Sequence, residues 1–138
     1  CDKLILTVLQ ECIDDYLACK GDAKPRLPVL DFLSTPVQDL RIRAENISSQ
    51  LEALSARITI EEAFSRTGGG TMPRAEIPSV ALRVESDGMS LKNLAQSLRR
   101  TTPAVVGYVS DEAFLLNLRT VFPSQDQSIV NALLEVLQ

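Results

Sequence analysis

Between Leu54 and Ile58 the spacing of apolar residues changes. Upstream, Val37, Leu40, Ala44, Ile47, Leu51 and Leu54 follow a 3-4-3-4-3 spacing, which places them on one face of a helix. Downstream, Ile58, Ile60 and Phe64 alternate with polar neighbours. Val80, Leu82 and Val84 then alternate with Ala81, Arg83 and Glu85, as half-buried strands do. A chain that switches period in this way must combine helix with sheet. The stretch between the two alternating runs contains Thr67, Gly68, Gly69, Gly70, Thr71, Met72 and Pro73. Three adjacent glycines give up the most backbone freedom on folding, so they are a poor choice for regular structure. Thr-Met-Pro is not linker composition either. Glycines do let backbone approach a ligand closely and turn N–H groups toward an anion. No lysine follows them, which excludes a Walker loop. The spacing, with no βαβ unit around it, excludes a dinucleotide loop. A tight, backbone-exposing loop remains, either facing a ligand or simply setting strand geometry.

The other segments fit the same mixed picture. Leu4, Ile5, Val8, Leu9, Cys12, Ile13, Tyr16 and Leu17 give a broad apolar helical face between about Asp2 and Lys20, with Gly21 suited to end it. The sequence opens almost inside this helix, which leads to the expectation of further polypeptide upstream. That face is expected to be only partly covered within this chain. Residues 22–35, with Pro25 and Pro28, read as a loop carrying an apolar patch at Val29, Leu30, Phe32 and Leu33. Thr35-Pro36-Val37-Gln38 reads as a capping box opening the next helix. Ser86-Asp87-Gly88 reads as a turn, and Ser90 can cap a helix with Leu91, Leu94, Ala95 and Leu98 on one side. After Pro103, strands are expected at Ala104–Val109 and Ala113–Val121, joined by a hairpin at Ser110-Asp111-Glu112. Phe114, Leu116 and Leu118 would face a helical cover, with Leu115, Asn117, Arg119 and Val121 on the other face. Ser124-Gln125-Asp126-Gln127 reads as a capping box for a last helix bearing Ile129, Val130, Leu133, Leu134 and Leu137. The expected fold is α+β: a small, mostly antiparallel four-stranded sheet covered by helices.

Composition narrows the chemistry. The 138 residues can bury a real core, but with no Trp and 4% aromatics it must be built from aliphatic side chains. A net charge of −4 argues against a nucleic-acid clamp within these residues. The chain has no His and no CxxC motif, so neither the common zinc sites nor a His-activated nucleophile is available. Cys12 and Cys19, seven residues apart on one helix, would have Cα atoms about 10 Å apart, too far for a disulfide. With Cys1 making an odd count, a reduced, cytoplasmic protein is expected. No apolar run approaches the length of a membrane span.

Four segments, in order, resemble one family. Thr67 to Leu82, TGGGTMPRAEIPSVAL, is similar to the glycine-rich segment near the C-terminus of the bacterial L-seryl-tRNA(Sec) selenium transferases, the selenocysteine synthases. DKLILTVLQECIDDYL, LSTPVQDLRIRAENISSQL and LRRTTPAVVGYVSDEAFLLNLRTV resemble three further segments of that family, so the resemblance covers almost the whole chain. It implies the C-terminal small domain of a fold-type-I pyridoxal-phosphate (PLP) enzyme. Residues 1–21 would be the helix leading from a large domain, and 22–138 the small domain itself. The implied reaction converts seryl-tRNA(Sec) to selenocysteinyl-tRNA(Sec) with selenophosphate, through a dehydroalanyl intermediate. The implied partners are the protein's own large PLP-binding domain, tRNA(Sec) and further copies of the enzyme.

The resemblance also distributes roles. Lys3, Lys20, Lys24 and Lys92 match no cofactor lysine, so PLP and catalysis are expected to depend on polypeptide upstream, with no catalytic residue in this chain. Thr67, Gly68, Gly69, Gly70 and Thr71 would lie at the domain cleft. Arg119, matching an Arg in a Leu-Asn-Leu-Arg motif, could bind a substrate carboxylate or hold the domain together. Arg99 and Arg100 could touch RNA backbone or simply end a helix. Tyr108 departs from the family pattern, standing where many members carry Arg. The alternatives are the same domain of a related PLP-dependent lyase or transferase with a small-molecule substrate, and a non-enzymatic α+β interaction module.

Overall fold

The computed structural model describes residues 2–18, 27–66, 76–86 and 88–138. The chain divides into two compact units, Cys1–Thr35 and Pro36–Gln138. The first holds helix α1 (Lys3–Ala18) and a shorter helix α2 (Pro28–Ser34). α1 matches the helix expected from its apolar spacing, and none of its residues is buried. Leu4 is 70% exposed, and Ile5, Val8, Leu9, Ile13, Tyr16 and Leu17 are exposed as well. α2 corrects the expected loop. Pro28 occupies the first helical position, where a missing N–H costs nothing, so a proline read as a breaker is here a helix start. The expected capping box at Thr35 is also absent: Thr35 closes α2, its hydroxyl donating to the Asp31 carbonyl at 2.7 Å.

The second unit contains α3 (Val37–Ser49), β1 (Arg57–Arg66), β2 (Glu76–Glu85), α4 (Leu91–Leu98), β3 (Tyr108–Ser110), β4 (Ala113–Asn117) and α5 (Asp126–Leu137). The four strands form one sheet in the order β1-β2-β4-β3, with every neighbour antiparallel. This is the expected α+β architecture. Alternation sorts the strands into two faces. Val80, Leu82 and Val84 of β2, with Phe114 and Leu116 of β4, are buried in the core. There they meet Leu40, Ala44 and Ile47 of α3, Leu94 and Leu98 of α4, and Ile129, Val130 and Leu133 of α5. Ile58 and Ile60 pack against this core, but Phe64, expected to join them, is 60% exposed. Ala81, Ala113 and Leu115 are buried on the opposite face.

Polar contacts fix the ends of the helices. Ser90 caps α4, its hydroxyl accepting from the Asn93 N–H. Arg43 of α3 grips Asp126, the first residue of α5, with Nε and Nη2 at 2.9 and 2.6 Å and reaches the Val121 carbonyl with Nη2. A carboxylate there also suits the helix dipole. The capping box expected at Ser124 is replaced by a 3₁₀ turn at Pro123–Gln125, in which Gln125 reaches back to the Phe122 N–H.

The segment after α4 departs most from expectation. β3 is only Tyr108–Ser110 rather than Ala104–Val109. β4 stops at Asn117, where the chain enters a 3₁₀ turn, Leu118–Thr120, so Val121 packs against the core instead of lying on the opposite face. The hairpin at Ser110-Asp111-Glu112 is present. Asp111 and Glu112 both have positive φ, 47° and 58°, the left-handed pair that lets a two-residue turn match the twist of its strands. Gly107 is required by close approach: a Cβ there would meet the Leu115 carbonyl oxygen and lie 2.6 Å from Phe114 Cζ. Gly107→Ala is therefore expected to destabilise the second unit by about 1–3 kcal/mol, read as a lower urea midpoint at unchanged slope.

Candidate functional site

The candidate site is the hairpin that carries the glycine segment. β1 and β2 pair over their full length, from Arg57 opposite Glu85 to Arg66 opposite Glu76. Arg66 and Glu76 close the last pair with an exposed ion pair at 2.6 Å. Thr67, Gly68, Gly69, Gly70 and Thr71 lie outside the described residues, between these two strand ends. What the structure does place is the stem beneath them.

Pro78 sits in that stem opposite Phe64. Proline has no N–H to give to a sheet ladder. Here β2 is also without β4, whose pairing begins three residues further on, at Ala81. Side chains from the end of β4 reach these backbone groups instead. The Asn117 Nδ2 donates to the Phe64 carbonyl over a long 3.4 Å. The Asn117 Oδ1 accepts from the buried Ser79 hydroxyl at 2.6 Å and from the Arg119 N–H at 3.1 Å. The Arg119 guanidinium donates through Nε and Nη2 to the Pro78 carbonyl, at 3.0 and 2.6 Å.

Arg119 is 4% exposed. Burial lowers its pKa from the ordinary arginine value, but a guanidinium remains charged at any physiological pH. The structure thus places this expected site residue within the domain, on the backbone of the hairpin stem. Asn117 and Ser79 are the participants that sequence reasoning missed. An Asn ending an apolar run was the available signal, but only the strand register shows what it meets.

Beside Ala81, Ala113 and Leu115, the same open face carries charged side chains. Arg83 lies 2.6 Å from Glu85 and 3.6 Å from Glu61, and its Nη2 donates to the carbonyl of Asp111 in the β3–β4 turn at 2.6 Å. The Glu85 carboxyl is held below the usual glutamate range, first by its hydrogen bond from Arg83. Tyr108, opposite Leu115, is pushed above the usual tyrosine range by burial and by the charge of Glu61, against a smaller opposing effect of Asn117. Arg99 follows α4 as its C-cap, and Arg99 and Arg100 are both exposed. Cys12 is an exposed free thiol. Among the described residues no group of His, Cys, Asp and Glu could hold a metal ion, and no helix is long and apolar enough to cross a membrane.

Two outcomes follow from this geometry. Arg119→Lys keeps the charge but cannot set two donors on one carbonyl, so it is expected to cost about 1–3 kcal/mol of stability, measured by denaturant unfolding. For Glu85 the folded pKa lies below the unfolded one, so its contribution is present above the unfolded value and lost as pH falls through the folded value. Carboxyl NMR titration should show Glu85 moving up toward the ordinary glutamate pKa in Arg83→Gln.

The sequence model of the L-seryl-tRNA selenium transferase family matches residues 1–122. The L-seryl-tRNA(Sec) selenium transferase of Moorella thermoacetica is 31% identical over 140 residues, covering 99% of this chain and 30% of that protein. That of Geobacter sulfurreducens is 31% identical over 138 residues, covering 98% and 30%. That of Carboxydothermus hydrogenoformans is 30% identical over 126 residues, covering 90% and 27%. The chain spans about 30% of the length of the curated relatives it matches. With a family match running from α1 through the hairpin stem to Phe122, the chain belongs to the L-seryl-tRNA selenium transferase family.

Proposed function

We propose that this chain forms the C-terminal small domain of a transferase that converts seryl-tRNA(Sec) to selenocysteinyl-tRNA(Sec) with selenophosphate in the cytoplasm. The family match over residues 1–122, with relatives aligned in sequence over 90% or more of this chain, is the observation that carries this reading.

PLP, the cofactor implied by the family resemblance, does not fit the described residues. It needs a lysine in a pocket that also holds its ring nitrogen and phosphate. Lys3 opens α1 and Lys92 lies on α4, both exposed. The clefts lined by Arg83, Glu85, Ser90 and Asp111, and by Ser97, Arg100, Thr101 and Glu135, contain no lysine. We therefore assign the cofactor and its lysine to other parts of the protein, consistent with relatives much longer than this chain. The large domain, selenophosphate, tRNA(Sec) and further copies of the enzyme are the partners in this reading.

Within this domain, the proposed contribution is the glycine segment. Thr67 to Thr71 would offer backbone N–H groups and hydroxyls to the aminoacyl end of the substrate. The chemistry suits that task, because glycines leave those groups open to an approaching anion or carbonyl. Arg119, engaged with the Pro78 carbonyl, would support that segment rather than meet substrate. Supplying the complete polypeptide with seryl-tRNA(Sec) and selenophosphate should yield selenocysteinyl-tRNA(Sec). No product from the charged tRNA, with turnover of a small amino acid or amino sugar instead, would overturn the assignment.

A further inference from the structure

We propose that the outward stripe of α4, carrying Lys92, Arg99 and Arg100, holds the phosphate backbone of the tRNA substrate. The inference rests on the reading above that the protein acts on a charged tRNA. Its own support is the place where unpaired cations gather. Among the described residues, Arg41, Arg43, Arg57, Arg66 and Arg83 each face a carboxylate, and Arg119 holds the Pro78 carbonyl. Arg99, Arg100 and Lys92 have no such partner among those residues. All three are exposed, and the exposed amide Gln96 lies between them on the same helical stripe. Leu94, Ala95 and Leu98 turn the other side of α4 into the core. Arg99 keeps helical dihedrals as the C-cap, φ −70° and ψ −15°, so the stripe runs on past Leu98. It spans about 10 Å from Lys92 to Arg99.

A helix end explains part of this arrangement. Arg99 and Arg100 complement the negative end of the α4 dipole. Lys92 does the opposite: it lies in the first turn, at the positive end, where a carboxylate is the favoured residue. No Asp or Glu occurs from Gly88 to Ser110, so the acidic excess of the chain lies elsewhere. Glu135 of α5 lines a cleft with Ser97, Arg100 and Thr101, and it forms no ion pair with Arg100. An uncompensated row of cations on a helix surface suits an extended polyanion, whose charges repeat along a strand. Selenophosphate, a small anion, would instead need donors converging on one point. Three cations add to the hold on tRNA without making these residues a clamp on their own, in keeping with a net charge of −4.

The test uses the complete enzyme and measures the affinity for tRNA(Sec) between about 50 and 200 mM salt, together with Tm and the KM for selenophosphate. The triple variant Lys92→Gln, Arg99→Gln, Arg100→Gln is expected to bind tRNA(Sec) about tenfold to a hundredfold more weakly at low salt. Its plot of log affinity against log salt should be shallower by roughly 2. Tm should hardly move, because the three side chains are exposed and glutamine is a good helix former. The KM for selenophosphate should stay as it is. Arg41→Gln and Arg57→Gln remove arginines already engaged by carboxylates and should leave the salt slope unchanged. If the triple variant does not fold, Lys92→Gln alone is read in the same way, with the slope reduced by roughly 0.7–0.9. An unchanged slope, an equal fall in the Arg41 and Arg57 variants, or a raised KM for selenophosphate with tRNA binding intact would overturn the proposal. Failure of the unaltered enzyme to bind tRNA(Sec) would instead remove the reading on which it rests.

Discussion

The burial of β2 on both faces is the constraint on which the rest of the second unit depends. One face sets Val80, Leu82 and Val84 under the three helices, and the other buries Ser79 and Ala81. Strand periodicity makes the arrangement all-or-none: a slip of one residue would bring Ser79, Ala81 and Arg83 into the core and turn Leu82 and Val84 outward. The register of β1 and β4 on this strand is fixed accordingly, and with it the side chains that share the open face. Glu61, Arg83 and Glu85 form a compact charged cluster there because their strand positions bring them side by side.

The hairpin stem follows from the same strand. β2 runs past the end of β4, so its first residues have a sheet partner on one side only. A proline in this stretch has no N–H to leave bare on the side where β4 has ended. Asn117 and Arg119 occupy the space where β4 would have continued. The chain leaves the strand there and enters the 3₁₀ turn, which brings a buried guanidinium to the Pro78 carbonyl. The early end of β4 and the polar tie of the stem are two aspects of one arrangement.

Much of this fold was legible in the sequence, because burial leaves a periodic trace. α1, α3, α4, α5, β1 and β2 all appear where their apolar spacing places them. What was not legible depends on neighbours distant in sequence. Leu118 and Val121 extend an apolar run that reads as strand, and only the pull of Arg119 onto β2 shows why the strand ends at Asn117. Residues 104–107 also read as strand, yet Gly107 lies hard against Phe114 and β3 begins after it. α2 escaped because seven residues with a leading proline carry too little periodicity to outweigh the breaker signal. For the site, the glycine segment stood out in composition, whereas Asn117 and Ser79 look like ordinary strand residues until the pairing is known.

The long outer edge of β1 bears on how the described sheet meets other strands. Among the described residues no strand pairs with the outer side of the ten-residue β1, an edge long enough to template a neighbour from another molecule. Arg57, Glu61, Glu62 and Arg66 are spaced along it. An incoming strand would have to strip water from these charges, whose present partners lie on β2 and on α3, at Arg41. Hydration of that border thus opposes the addition of a strand from another molecule.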